Sequence, residues 1–165
     1  MEKGINELAN LEAPSVIMMV GVPGSGKSYI AEQLGETLGL EVLSSDKCRL
    51  ELSGDANDQS VSKQAWELVY TRANQAIDED HSVIIDGTHF NPEVRRQDVQ
   101  RYKDFGARAV VGVHVATDLE ISLQRNNNRD RVVPEHIILD MQSNIDQVTP
   151  STDDGFDFVI QLDNN

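Results

Sequence analysis

Residues 21–28 read Gly21-Val22-Pro23-Gly24-Ser25-Gly26-Lys27-Ser28 and match the P-loop pattern G-x-x-x-x-G-K-[ST]. An apolar run, Val16–Val20, precedes the motif, and a helical stretch from Tyr29 to Leu34 follows it. This strand–loop–helix context is the one in which the motif binds phosphate. The sequence therefore predicts a site for a nucleoside triphosphate at this loop.

The motif residues have distinct predicted roles. The glycines lack a Cβ atom, so the backbone can approach a ligand and present its N–H groups as an anion nest. Lys27 is expected to reach the β- and γ-phosphates and to act in catalysis, and Ser28 Oγ to ligate Mg²⁺. The predicted contacts to the ATP phosphates are Gly21, Gly24, Ser25, Gly26, Lys27, Ser28 and Tyr29.

Composition narrows the class of protein. Of the 165 residues, 39% are hydrophobic and 25% are charged, which is typical of one globular domain. The single cysteine, Cys48, excludes an internal disulfide framework. The acidic start lacks a signal-peptide core, and no stretch approaches the roughly 20 apolar residues of a membrane span. We therefore expect a cytoplasmic protein without a membrane partner.

The net charge of −14 argues against a general nucleic-acid coat. Basic residues nevertheless concentrate in a few segments, including Lys47–Arg49 and Arg125–Arg131. A locally positive site on an acidic protein can still hold a short phosphorylated or nucleic-acid end.

Predicted strands and helices alternate along the chain, which favours a parallel sheet with helices on both faces. The predicted strands are about Val16–Val20, Glu41–Ser44, Ser82–Asp86, Ala107–Val115 and Phe156–Leu162. The predicted helices are about Lys27–Thr37, Ser60–Ile77, Pro92–Tyr102, Asp118–Arg125 and Pro134–Ile145. We expect an α/β P-loop kinase fold of about five parallel strands, with a leader at 1–14 and the domain at 15–165.

Two carboxylates follow predicted strands. Asp86 ends an apolar strand in the manner of a Walker B residue, which would order the Mg²⁺ shell; turn formation is the alternative. Asp46 follows the second strand and could take the proton of an attacking hydroxyl, with Arg49 three residues on to bind a substrate phosphate. The alternative is a helix N-cap with a solvated arginine beside it.

Three arginines, Arg125, Arg129 and Arg131, surround a polar, turn-prone segment that resembles a lid. Arginines over a γ-phosphate neutralise charge in the transition state, whereas the alternative is a solvated basic helix end. Trp66 and Tyr70 lie four residues apart on the long predicted helix, and packing is favoured over base stacking for both.

These segments together resemble the 5′-end polynucleotide kinase family, over about residues 15–162. The resemblance is to the kinase module of bacterial RNA-repair proteins that combine kinase, phosphatase and ligase, and to the kinase domain of phage polynucleotide kinase–phosphatase. It is carried by Gly21–Ser28, Ser44–Arg49, Asp55–Ser60, Asp86–Pro92 and Arg125–Arg131.

The resemblance implies ATP as donor, Mg²⁺ as cofactor and the 5′-hydroxyl end of RNA or DNA as acceptor, with a possible partner phosphatase or ligase. It implies Asp46 as general base, Arg49 on the 3′-phosphate of the terminal nucleotide, and Arg125 and Arg129 as catalytic lid residues. The acceptor contacts also include Thr88 and His89, where the family usually has Asn at the second position. Two rival functions remain: a small-molecule kinase for a sugar acid, nucleoside or antibiotic, and a nucleotide-dependent switch without an acceptor.

Overall fold

The computed structural model describes residues 2–165, and a parallel sheet of five strands forms its centre. The strands are β1 Ser15–Val20, β2 Glu41–Ser44, β3 Val83–Asp86, β4 Ala109–Ala116 and β5 Val159–Asp163. Their order is β2-β3-β1-β4-β5, and every pair is parallel. The predicted fold class is therefore confirmed, although β4 and β5 begin later than the sequence patterns indicated.

Helices cover both faces of the sheet. They are α1 Glu2–Ala9, α2 Lys27–Leu38, α3 Ser45–Ser53, α4 Ser62–Asp78, α5 Pro92–Phe105, α6 Leu119–Asn127 and α7 Glu135–Gln147. Val16 and Met18 of β1 pack towards α4 and α5, whereas Ile17 and Met19 pack towards α1 and α2. The unbroken apolar run of β1 follows from this burial on both faces. Within residues 2–165, no helix is long and apolar enough to cross a membrane.

Helix α3 is the element that the sequence patterns did not give in full. It follows β2 without a loop, because Ser44 is both the last strand residue and the N-cap, accepting from the Lys47 backbone N–H at 3.1 Å. The helix ends at Gly54, whose φ is +78°. Its sequence is polar and exposes Leu50 and Leu52, so hydrophobic periodicity gives little signal for it.

The sheet topology brings the predicted site residues to one edge. All strands are parallel, so their carboxyl ends, including Val20, Ser44 and Asp86, lie at the same side of the sheet. Ligands of open α/β sheets bind at this side. The P-loop, α3 and the segment after β3 therefore surround a common space.

Candidate active site

A cleft of about 980 Å³ lies at the carboxyl edge of the sheet. Its walls are the P-loop, α3, α4, the segment after β3 and a lid loop, which we define as residues 128–134. Most predicted site residues line it, namely Gly24, Gly26, Lys27, Ser28, Tyr29, Asp46, Arg49, Asp86, Thr88, Arg125 and Arg129. Gly21, Ser25 and His89 are buried and do not line the cleft.

The P-loop backbone depends on glycine at two positions. Gly24 has φ +87° and Gly26 has φ +91°, in the left-handed region that L side chains rarely adopt. A Cβ atom at Gly24 would lie 2.1 Å from the carbonyl oxygen of Ser122. The loop therefore touches α6 directly and has no space for a side chain there.

Gly24→Ala is expected to destabilise the fold by about 2–3 kcal/mol and to weaken ATP binding by about tenfold or more. The added methyl must displace α6 or the phosphate-binding loop. Gly39→Ala is the matched control, since Gly39 also has positive φ, +69°, but a Cβ there meets nothing within 4 Å. Urea unfolding and ATP titration of both variants provide the measurement; equal losses would contradict the steric argument.

The P-loop backbone is held at the Ser25 carbonyl by Thr117 and Asn164, which the sequence patterns did not single out. The Ser25 carbonyl accepts from Thr117 Oγ1 at 2.9 Å and from Asn164 Nδ2 at 2.8 Å. Arg125 Nη1 donates to Asn164 O at 2.9 Å and lies 3.5 Å from Ser25 O. In this structure, then, Arg125 supports the loop from α6, although it also lines the cleft. Thr117 and Asn164 carry no local sequence signal.

The residues expected at Mg²⁺ fit that ion. Ser28 is exposed at the start of α2, and Asp86 Oδ1 is buried without a hydrogen-bond partner within residues 2–165. A carboxylate oxygen left unpaired in a phosphate cleft suits the water shell of Mg²⁺. No group of three or more His, Cys, Asp or Glu in the described chain could hold a metal by itself. Mg²⁺ usually keeps water and phosphate ligands in such sites, so few protein ligands are needed.

Lys27 lies near one acidic and two basic side chains of the cleft. Burial lowers the pKa of Lys27; Asp86 opposes the shift, whereas Arg129 and Arg131 add to it. The ammonium group and the two arginines therefore converge on one region of the cleft. Such a concentration of positive charge suits the phosphates of a nucleotide.

Asp46 forms the centre of the opposite half of the cleft. Its Oδ1 accepts from Arg49 Nη2 and, at 2.8 Å, from Arg131 Nη1, while its side chain stays 49% exposed. Arg49 Nε donates to the Ala56 carbonyl at 2.7 Å, and the Arg49 side chain is only 5% exposed. Within residues 2–165, no hydrogen bond reaches Asp46 Oδ2. This oxygen is therefore available to accept a proton.

The lid loop is shaped by Asn126 and bridged to α3. Asn126 is buried, donates to Val133 O at 2.8 Å and accepts from Val133 N at 3.0 Å. Arg131 crosses from the lid loop to Asp46. Arg129 is exposed on the cleft and forms no ion pair in the described part of the chain. Its guanidinium is free to contact a phosphate.

His89 was expected at the substrate, but the structure places it below the cleft. Its Nδ1–H donates to the Met19 carbonyl at 2.5 Å, and the residue is 7% exposed with φ +44°. Arg95, fully buried, donates to the His89 carbonyl at 3.0 Å and to Asp154. His89 therefore supports the segment after β3, while its neighbour Thr88 lines the cleft.

Two buried histidines predict how stability depends on pH. Burial lowers the pKa of His89, although the Met19 carbonyl, Asp98 and Asp86 oppose this shift. Burial also lowers the pKa of His114, and the nearby charge of Arg95 lowers it further. Between the folded pKa and the usual 6.5, the unfolded chain binds more protons. The free energy of unfolding should therefore fall as the pH drops below about 6.5, by at most ~1.4 kcal/mol per pH unit for each histidine.

Urea unfolding between pH 7.5 and 5.5 tests this expectation. His89→Asn with His114→Gln should flatten the dependence, since Asn tolerates positive φ and neither new side chain titrates. His136→Gln alters an exposed histidine of α7 and should keep the wild-type slope. Identical slopes in all three proteins would contradict the role of the buried histidines.

Comparison with known proteins identifies the family. A family model described as an AAA domain matches residues 16–148, whereas no curated protein sequence gives a significant match. One similar solved structure is a chain of the Pnkp1/Rnl/Hen1 RNA repair complex, with TM-score 0.73, 20% identity, and coverage of 89% of this chain and 47% of that chain. A candidate kinase of Chloroflexus aurantiacus has TM-score 0.71 and 15% identity, covering 92% of this chain and 89% of that one.

A gluconokinase of Sinorhizobium meliloti is also similar, with TM-score 0.60, 14% identity, and coverage of 93% of this chain and 84% of that chain. At these identities the likeness shows the fold alone. The chain spans about half the length of the repair-complex chain, 47%. Because the family model covers most of the sheet and the P-loop, the chain belongs to this AAA domain family and has a P-loop kinase-like fold.

Proposed function

We propose that this protein transfers the γ-phosphate of ATP to the 5′-hydroxyl end of RNA or DNA. The observation that carries the proposal is the position of Asp46, which shares one cleft with the P-loop and lies between Arg49 and Arg131. A carboxylate beside two guanidinium groups suits an acceptor that brings both a hydroxyl and a phosphate. A chain of an RNA repair complex shares the fold, which supports a nucleic-acid acceptor, and we extend the proposal to a partner phosphatase or ligase.

In the proposed reaction, Asp46 Oδ2 accepts the proton of the attacking hydroxyl. Arg49 binds the 3′-phosphate of the terminal nucleotide and so fixes the distance of the hydroxyl from the donor. Lys27 and Arg129 neutralise the charge that develops on the transferred phosphoryl group. Ser28 and Asp86 would hold Mg²⁺, which supplies electrostatic stabilisation of the phosphate oxygens when bound. Most of the rate gain then comes from positioning and electrostatics.

The proposal is tested with labelled ATP and a 5′-hydroxyl oligonucleotide, in RNA and in DNA form. The same oligonucleotide with a 5′-phosphate is the matched control, because only the hydroxyl form can accept. We expect label on the 5′-hydroxyl strands alone. Absence of transfer at every salt concentration, with ATP binding intact, would refute the proposed function.

A small-molecule kinase is the second candidate. The net charge of −14 favours it, since a small acceptor needs no basic track, and a gluconokinase shares the fold. A panel of sugar acids, nucleosides and antibiotics, assayed by ADP release, separates the two functions. Stimulation by one of these compounds and not by an oligonucleotide end would select the second candidate.

A further inference from the structure

Trp66, the one tryptophan of the chain, packs against the buried core and also lines the cleft. Its neighbours on α4, Ala65 and Val69, are completely buried against the sheet. Trp66 is only half-buried and lines the cleft. Packing, as the sequence predicted, is therefore part of its role, but one side of the indole also faces the space where an acceptor would bind.

The indole ring of Trp66 packs against two other rings, those of Tyr70 and His89. Its ring lies 5.8 Å from the Tyr70 ring, tilted by 34°, and 5.8 Å from the His89 ring, edge to face at 64°. Tyr70 is itself fixed, since its hydroxyl donates to Asp98 at 2.8 Å and the Arg101 guanidinium lies 4.0 Å from its ring centre. A preorganised aromatic surface loses little side-chain entropy when a ligand packs on it.

The position of the indole relative to the reaction site is also fixed. A Cβ atom added at Gly87 would lie 2.9 Å from Trp66 Cη2, so the ring end rests on the backbone between Asp86 and Thr88. Any bulkier residue at Gly87 would push the ring away. Trp66 is thus held at the end of β3, in the same cleft as Asp46.

The chemistry of the cleft indicates what would pack there. Besides Trp66, its carbon surfaces include Phe90, Ile137 and Met141. A nucleobase offers a flat π-face that any base shares, and its stacking on an aromatic side chain is favourable.

We infer that Trp66 is the platform on which the base of the acceptor's terminal nucleotide packs. The inference rests on the proposed function and adds a specificity residue to it. The hydroxyl is then located by three groups: Asp46 at its proton, Arg49 at the neighbouring phosphate and Trp66 at the base. Since stacking does not read hydrogen-bonding edges, acceptors with different terminal bases should react similarly.

The decisive experiment compares a 5′-hydroxyl oligonucleotide with the same strand whose terminal sugar is abasic. Wild-type protein should show a KM higher by about tenfold to a hundredfold for the abasic strand. Trp66→Leu should raise the KM for the normal strand by a similar factor, cause no further loss with the abasic strand, and leave the KM for ATP unchanged. Trp66→Phe should restore part of the difference.

The outcomes distinguish the two proposals. If Trp66→Leu affects both strands equally, Trp66 is structural and the inference is wrong, while the proposed function stands. If wild-type protein phosphorylates neither strand, the proposed function fails and the platform fails with it.

Fluorescence gives a readout that needs no variant and no turnover. Because Trp66 is the one tryptophan, its emission should change on addition of the normal strand and much less with the abasic strand. Equal changes with both strands would also overturn the inference.

Discussion

Asp46→Asn is expected to lower the rate of phosphate transfer by about 10²–10⁴-fold and to leave ATP binding unchanged. The amide has the same shape and can still accept from Arg49 and Arg131 at Oδ1. It cannot take the proton of the attacking hydroxyl, so the loss should appear in kcat. Single-turnover rates with labelled ATP and equilibrium titration with ATP separate these two effects.

A matched control removes the same charge elsewhere. Asp78 is exposed at the end of α4 and does not line the cleft, so Asp78→Asn should keep the wild-type rate. Thermal unfolding is needed as well, because Asp46 is the charge partner of the buried Arg49. An Asp46→Asn protein that folds normally and retains most of its rate would remove Asp46 as the base.

Arg129→Ala is expected to reduce kcat by about 10³-fold, at the lower end of the range for arginines that act on a transferred phosphoryl group. Arg129 has no ion pair within residues 2–165 and lines the cleft. The other basic residues of the cleft would still neutralise part of the transition-state charge in the variant; they are Lys27, Arg125 and Arg131. ATP binding should weaken far less than kcat falls, since the guanidinium is assigned to charge that develops in the transition state. Pre-steady-state transfer rates and ATP titration provide the two numbers.

Arg108→Ala is the control for the general loss of positive charge. Arg108 pairs with Glu12 on the surface, is 61% exposed and lies outside the cleft, so its removal should leave transfer unaffected. If Arg129→Ala and Arg108→Ala behave alike, Arg129 has no part in catalysis. If Arg129→Ala weakens ATP binding as much as it lowers kcat, Arg129 is a ground-state contact.

Much of the fold could be read from the sequence. The P-loop, the apolar run before it and the alternation of strands and helices predicted an α/β sheet of about five strands, and the structure confirms it. These signals are local: a buried parallel strand is an apolar run, and a helix repeats every 3.6 residues. Helix α3 was underestimated because it is short, polar and joined to β2 without a turn residue.

The arrangement of the candidate site could be read only in part. The sequence put Asp46 and Asp86 at strand ends and so predicted their common edge. It could not show that Arg131 pairs with Asp46, since 85 residues separate them. Nor could it show that His89 is buried outside the cleft, because that position depends on a hydrogen bond to the Met19 carbonyl of β1 and on ring contact with Trp66.

The sequence by itself thus determined the phosphate-binding loop, the order of the elements and the edge of the sheet at which the cleft forms, because these follow from adjacent residues. Tertiary structure alone decided which charges meet across the cleft, that Asn164 holds the P-loop through Ser25, and that Trp66 lines the same cleft as Asp46. Such contacts join residues far apart in the chain. They depend on strand order and on space left by neighbouring side chains, neither of which has a local signature.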